Sequence, residues 1–262
     1  MKDLDYFLNK KGINYTGNFV AQFTMPSIFD EILKVNLWMK GHKDRTVFTM
    51  EAPYSRAIHQ NSVPESLYHQ PLPTLVVRQN GEARTRPFVA IIDPFNEGET
   101  SHVKNVNYFS DENEDFIGIT VQSGNGRKDH IYNDINSDRM HSFSNGSFVG
   151  NYAIITVEGE DVKSMLLTNG KILHYGLWKI EAGSKDAAVL VLFQGNKIMV
   201  NANRPFKLTL PWSGKKKDQV MLEAIDALEH QAFSAKIQKR KRQKFVEFDL
   251  PALNNATMKI IH

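Results

Sequence analysis

Short runs of apolar and β-branched residues recur along the chain, each closed by Gly, Asn, Asp or Pro. Residues 34–40 (KVNLWMK), 46–50 (TVFTM), 74–78 (TLVVR), 85–92 (TRPFVAII), 116–122 (FIGITVQ), 152–157 (YAIITV) and 205–210 (PFKLTL) all carry strand character. Residues 188–193 (AVLVLF) are apolar throughout, which predicts a strand buried on both faces. Two Asn-Gly pairs predict hairpin turns, because both central positions of the favoured two-residue turn need positive φ. Asn80-Gly81 lies between 74–78 and 85–92, and Asn169-Gly170 lies between 164–167 and 171–174. Gln194-Gly195-Asn196-Lys197 predicts a further turn into 198–200.

Turns so closely spaced favour a sandwich or barrel over alternating strands and helices. The expected fold class is all-β: a large antiparallel β-sandwich with a small C-terminal β unit and little helix. Residues 27–33 (SIFDEIL) suit one helical turn before a strand. In 218–233 (DQVMLEAIDALEHQAF), Met221, Ile225 and Leu228 have helical spacing, but Val220, Leu222 and Ala224 alternate. We read 218–230 as strand plus loop. Pro, Gly and three Lys interrupt the pattern at 211–217 (PWSGKKK). The expected organisation is therefore a sandwich over 1–210 and a small β extension over 211–262 packed on it.

Composition changes this picture little. A hydrophobic content of 41% is ample for a core. With no cysteine, disulfides and thiolate metal sites are excluded. The net charge of +3 gives no case for nucleic acid, which needs a clustered basic face. The one cluster, Lys239-Arg240-Lys241-Arg242 with Lys244, reads as a solvated hairpin tip. No apolar run reaches the ~18–20 residues needed to span a bilayer. Met1-Lys2-Asp3-Leu4-Asp5 has no apolar signal region, so export is expected only of a parent enzyme. Phosphate loops, nucleophile elbows and His-Glu-x-x-His helices are lacking, and the nine histidines are scattered. No metal or cofactor is expected.

Candidate chemistry sits where strands end. Residues 51–59 (EAPYSRAIH) leave a strand and bring Glu51, Tyr54, Arg56 and His59 close in sequence. Arg56 and His59 suit an anionic ligand, since arginine pairs with carboxylate or sulfate in a bidentate way. Arg78, Arg84 and Arg86 lie on the arms of the expected Asn80-Gly81 hairpin, with Arg84 and Arg86 on one face. Residues 128–132 (KDHIY) read as a polar turn with a His-Asp pair. Trp38, Trp178 and Trp212 are candidates to stack on sugar rings, Trp38 reading rather as core.

The order of several segments resembles the β-sandwich part of the heparinase II/III-like polysaccharide lyases. These are Asp5-Tyr6-Phe7-Leu8, Leu37-Trp38-Met39-Lys40-Gly41, Arg45-Thr46-Val47-Phe48-Thr49, Ala52-Pro53-Tyr54, Leu75-Val76-Val77-Arg78 and 88–95 (FVAIIDPF). Residues 116–122, 129–131, 153–157 and 165–174 continue in the same order. The resemblance covers 1–210 and implies an antiparallel sandwich that follows a helical (α/α) toroid. It implies β-elimination on uronic-acid glycans, with most catalytic residues on the toroid, so none maps onto this chain. The sandwich is then expected to line one wall of the glycan cleft with Tyr54, Arg56, His59, Arg84 and Arg86. The implied partners are an acidic polysaccharide and the toroid domain, with no nucleic acid and no membrane. Two other classes compete: a stand-alone carbohydrate-binding module for acidic glycans, and a structural domain without a ligand. A large apolar face near the N-terminal strands would favour a catalytic partner, and a cleft of aromatics and cations a binding module.

Overall fold

The computed structural model describes residues 4–26, 32–53, 71–81, 87–112, 115–214, 220–225, 231–240 and 243–261. Among these the chain is all-β, as expected, with 21 strands and no α-helix. It divides into two compact units, Met1–Val103 and Lys104–His262.

The first unit holds two three-stranded antiparallel sheets. Its strands are β1 (Leu8–Asn14), β2 (Phe19–Pro26), β3 (Ile32–Met39), β4 (Arg45–Ala52), β5 (Leu72–Gln79) and β6 (Ala90–Asn96). One sheet runs β1-β4-β5 and the other β2-β3-β6. The expected hairpin around Asn80-Gly81 is therefore not formed: β5 pairs with β4, and β6 pairs with β3 in the other sheet. Buried Arg45 explains why the chain crosses over here. Its guanidinium donates to Gln79 Oε1 at 2.8 Å, to the Lys40 carbonyl, and to the Pro87 carbonyl at 2.9 Å. It thereby ties the end of β5 to the segments that flank β3 and β6. Charge-assisted bonds of this kind outweigh a local turn preference.

The second unit carries one 15-stranded antiparallel sheet. It begins with β7 (Val103–Ser110), β8 (Phe116–Ser123), β9 (Arg127–Asp134), β10 (His141–Phe143), β11 (Gly146–Glu158), β12 (Asp161–Tyr175) and β13 (Trp178–Ala182). It continues with β14 (Ala188–Gln194), β15 (Lys197–Ala202), β16 (Phe206–Pro211), β17 (Met221–Ala224), β18 (Ala232–Ser234), β19 (Lys236–Arg240), β20 (Gln243–Leu250) and β21 (Leu253–Ile261). The main path is β18-β17-β21-β15-β14-β12-β11-β9-β8-β7, and a branch runs β12-β13-β16-β20-β19. The strands beyond residue 211 thus join the sheet that starts at β7. The expected turn at 194–197 joins β14 to β15 with Gly195 at φ +62°. Residues 128–132 form part of β9 rather than a turn, because Ile131 and Tyr132 continue the alternation of a central strand.

Asn169-Gly170 is not a hairpin tip either. It sits inside β12, where the register against β11 slips between Gly150↔Gly170 and Val149↔Ile172. Asn169 takes φ +46°, so the pair forms a β-bulge. Before the bulge, residues 164–168 pair with β14; after it, residues 172–175 pair with β13. A bulge bends its strand and is a usual device for turning from one layer into another. The two layers enclose one core, with Ile155, Met165, Leu167, Val189 and Val191 from the main path and Ile180, Leu208 and Phe248 from the branch. Burying each such side chain contributes about 1.5–3 kcal/mol. β14 was expected to be buried on both faces. It alternates instead: Val189 and Val191 are fully buried, while Leu190 and Leu192 are half-buried on the sheet's other face.

Candidate functional site

The branch layer of the second unit has a face that points away from the core. In β13, Ile180 and Ala182 are buried and Lys179 and Glu181 point out; in β16, Phe206, Leu208 and Leu210 are buried and Lys207 and Thr209 point out. β20 repeats the pattern, with Val246, Phe248 and Leu250 buried and Phe245, Glu247 and Asp249 on the other side. Register then assembles rows across the outer face. Lys179, Thr209, Glu247 and Lys236 form one row, and Pro211, Phe245 and Gln238 the next. Cross-strand neighbours of this kind stand close enough to interact.

A concavity of about 220 Å³ opens on this face, lined by His174, Leu177, Lys179, Thr209, Gln238, Phe245 and Glu247, with Gly176 at its rim. That is below the usual ~300–1,000 Å³ of a drug-sized pocket and suits one ring with its substituents. Phe245 supplies an apolar surface, and Thr209 and Gln238 supply hydroxyl and amide groups. The ring of His174 meets the Gly176 carbonyl at 2.8 Å through Nε2, which fixes Nε2 as the donor. Gly176, at φ +60°, makes the tight turn from β12 into β13 that brings His174 and Leu177 to the groove.

The charges of this face are largely self-compensated. Lys179 pairs with Glu181, Lys207 with Glu247 at 3.6 Å and Asp249 at 4.0 Å, and Lys236 with Asp249 at 2.9 Å. Lys236 holds the Asp249 carboxyl below its ordinary value by hydrogen bonding, and Asp249 raises the ammonium in return. Exposed pairs of this kind contribute little to stability, because solvent screens them. Their effect is to leave a polar platform without a dominant sign.

Two further polar clusters lie in the same unit. The Asp134 side chain is fully buried and meets His141 Nε2, while Arg139 spans Asp111 at 2.8 Å, Asp115 at 3.2 Å and Asp134 at 3.8 Å. The imidazole of His141 stacks on Phe116 with centroids 3.8 Å apart. This network fastens the 135–140 loop between β9 and β10. In the second cluster, His130 meets Thr120 Oγ1 through Nδ1 at 3.1 Å and faces the ring of Tyr175 at 5.2 Å. Its Nε2 is buried without a hydrogen-bond partner among the described residues. Burial, helped by Lys128, pushes this imidazole below the ordinary histidine value, so it is neutral at neutral pH. Among the described residues no group of three or more His, Cys, Asp or Glu could hold a metal ion.

The five residues singled out from the sequence, Tyr54, Arg56, His59, Arg84 and Arg86, all lie outside the described residues. Arg78 is exposed on β5. Trp38 is half-buried in β3, and its indole N–H is buried without a partner among the described residues. Trp178 packs edge-on against Phe193 at 4.6 Å, at the margin of the core. The groove residues themselves escaped the sequence reading. Their only signal is the alternation of 179/181, 207/209 and 245/247/249, which marks an outer face but cannot say which strands lie side by side.

Part of the second unit, ending before β15, is similar to known proteins. Residues 103–192 match the family described as the endo-acting ulvan lyase C-terminal domain. The chain is also 30% identical, over 128 residues, to an endo-acting ulvan lyase from Formosa agariphila. That alignment covers 47% of this chain and 15% of the relative, so the chain matches only a small part of that enzyme. No solved structure matches. The similarity supports a β-sandwich domain of the kind associated with polysaccharide lyases, and it does not single out the heparinase II/III-like group.

Proposed function

We propose that this chain is the β-sandwich region of a polysaccharide lyase acting on an acidic, uronic-acid-bearing glycan by β-elimination. In this reading it holds the glycan, and a helical toroid domain of the kind implied by the heparinase II/III-like resemblance supplies the elimination chemistry. The observation that carries the reading is the match of residues 103–192 to the ulvan lyase C-terminal domain. Ulvan is a sulfated polysaccharide, in keeping with an acidic substrate. The ring-sized groove beside Phe245 supports the binding role.

A feature of the first unit supports a partner domain. One face of the β2-β3-β6 sheet presents Phe19, Phe23, Met25, Leu33, Val35, Leu37 and Ile92, aligned by register and all half-buried or exposed. Ile92 is 67% exposed. A contiguous apolar face of this kind marks an interaction surface. It favours the lyase reading over a stand-alone binding module or a domain without a ligand, and so does a match to a lyase's own C-terminal domain.

The test uses the 262-residue chain with ulvan. We expect retardation in a native gel containing ulvan and no rise in ultraviolet absorbance from unsaturated uronides. Unsaturated product released by the chain alone would overturn its non-catalytic role. Unchanged mobility in the ulvan gel would overturn the binding role.

A further inference from the structure

Strand register fixes the spacing of the polar groups in the groove beside Phe245. Gln238 stands directly opposite Phe245, and Thr209 directly opposite Glu247, two residues further along β20 on the same face. Direct cross-strand neighbours are about 4.5–5.5 Å apart and diagonal ones about 7–8 Å. The Gln238 amide and the Thr209 hydroxyl therefore flank the Phe245 ring within reach of the substituents on one pyranose ring. His174 adds a third polar group to the lining, and Leu177 adds apolar surface. With Nε2 donating to the Gly176 carbonyl at 2.8 Å, Nδ1 of the neutral imidazole is an acceptor.

The ionised groups around the groove are already matched. The outer rows set Lys179, Lys207 and Lys236 against Glu181, Glu247 and Asp249. Lys179 and Glu247 line the groove itself. A sulfate or carboxylate entering it would have to displace Glu181 to reach Lys179, and would meet the like charge of Glu247. A ring that carries only hydroxyls disturbs neither pair. It can set its apolar side on Phe245 and turn its hydroxyls to the amide, hydroxyl and imidazole groups at the rim.

We propose that this groove seats an uncharged sugar ring of the acidic glycan, stacked on Phe245 and hydrogen-bonded by Gln238, Thr209 and His174. The proposal rests on the glycan-holding role of the chain and specifies which of the glycan's sugars the face holds: those between the charged units. Stacking and hydrogen bonding to neutral groups act at contact and are little affected by salt, whereas exposed charge contacts are screened. The salt-resistant part of the affinity therefore belongs to this groove.

The test is titration calorimetry on the whole chain at low and high salt, with ulvan and with ulvan that has been carboxyl-reduced and desulfated. The variants are Phe245→Ala and Gln238→Ala, with circular dichroism confirming their fold. Gln238 is exposed, so its variant keeps the test decisive if Phe245→Ala does not fold. At high salt we expect the uncharged ulvan to bind within about threefold of ulvan itself, because the contacts that distinguish them are screened. Phe245→Ala should weaken both by about tenfold through lost apolar burial. Gln238→Ala should weaken both by about fivefold, as for one hydrogen bond. High-salt ulvan binding that is unchanged in folded Phe245→Ala and Gln238→Ala overturns this proposal and leaves the glycan-holding role intact. Uncharged ulvan that fails to bind where ulvan binds has the same consequence. A chain that binds neither form overturns both.

Discussion

Replacing Gly170 by alanine tests the bulge that turns β12 between its two layers. A Cβ at Gly170 would lie 2.6 Å from the Val149 carbonyl oxygen, 2.6 Å from Leu167 Cδ1 and 2.9 Å from Gly150 Cα. The leucine tip can swing aside, but the carbonyl and the opposite Cα are backbone, so the β11–β12 pair must separate. Forcing a methyl group into a packed interior costs about 1–3 kcal/mol. For a unit of this size each kcal/mol lowers the melting temperature by about 2–4 °C, so Gly170→Ala should melt about 2–12 °C lower. Gly150→Ala meets the same contact from the other strand, 2.9 Å from Gly170 Cα, and should also destabilise. The two losses should not add, because one separation relieves both. Asn169→Gly should be well tolerated, since it keeps the positive φ, whereas Asn169→Val should cost about 1–2 kcal/mol. Thermal melts followed by near-ultraviolet circular dichroism provide the measurement. A Gly170→Ala protein melting within about 1 °C of the parent would refute the close-approach argument.

Two other outcomes follow from buried polar groups. Burial depresses the folded-state value of His130 below the ordinary ~6.5, so its contribution to stability is complete above ~6.5 and is lost as pH falls through the depressed value. Urea titrations at neutral and mildly acidic pH should show weakening on acidification, and His130→Phe should flatten that dependence; an unchanged slope would exclude His130 as its source. His141→Ala removes a partner from fully buried Asp134 and should cost about 3 kcal/mol, with Asp134→Asn recovering part of the loss in the double variant. Equal urea midpoints for His141→Ala and the parent would show that Arg139 and the Asn136 backbone alone satisfy the carboxylate.

The fold class was legible because burial on one face of a strand leaves a period of two, as in 205–210 and 152–157. Individual turns were less so. Gln194-Gly195-Asn196 read correctly as a turn, but Asn80-Gly81 and Asn169-Gly170 carry the same local preference and serve other ends. At Asn80-Gly81 the deciding influence is Arg45, 34 residues away from its partner Gln79. At Asn169-Gly170 it is the facing Gly150, which no local window contains. The groove depends on which strands are neighbours, a non-local property. The order β13-β16-β20-β19 juxtaposes residues near 179, 209, 247 and 236 that nothing in the linear pattern connects. The expected arginine wall around Arg56 and Arg86 falls outside the described residues, so the described face was reached by register alone.

The place of β21 has a bearing on how the second unit assembles. Among the described residues, β17 and β18 join the main sheet through β21, which pairs with β17 on one side and β15 on the other. During synthesis, β15 is complete at residue 202, yet its partner begins at residue 253. At ~5–20 residues per second, β15 waits several seconds with one row of backbone amides and carbonyls uncapped. Such an open edge invites pairing with another nascent chain. A truncation before residue 253 would make that transient state permanent, leaving Ile198 and Val200 beside an unfilled slot, so clones ending there should accumulate as inclusion bodies.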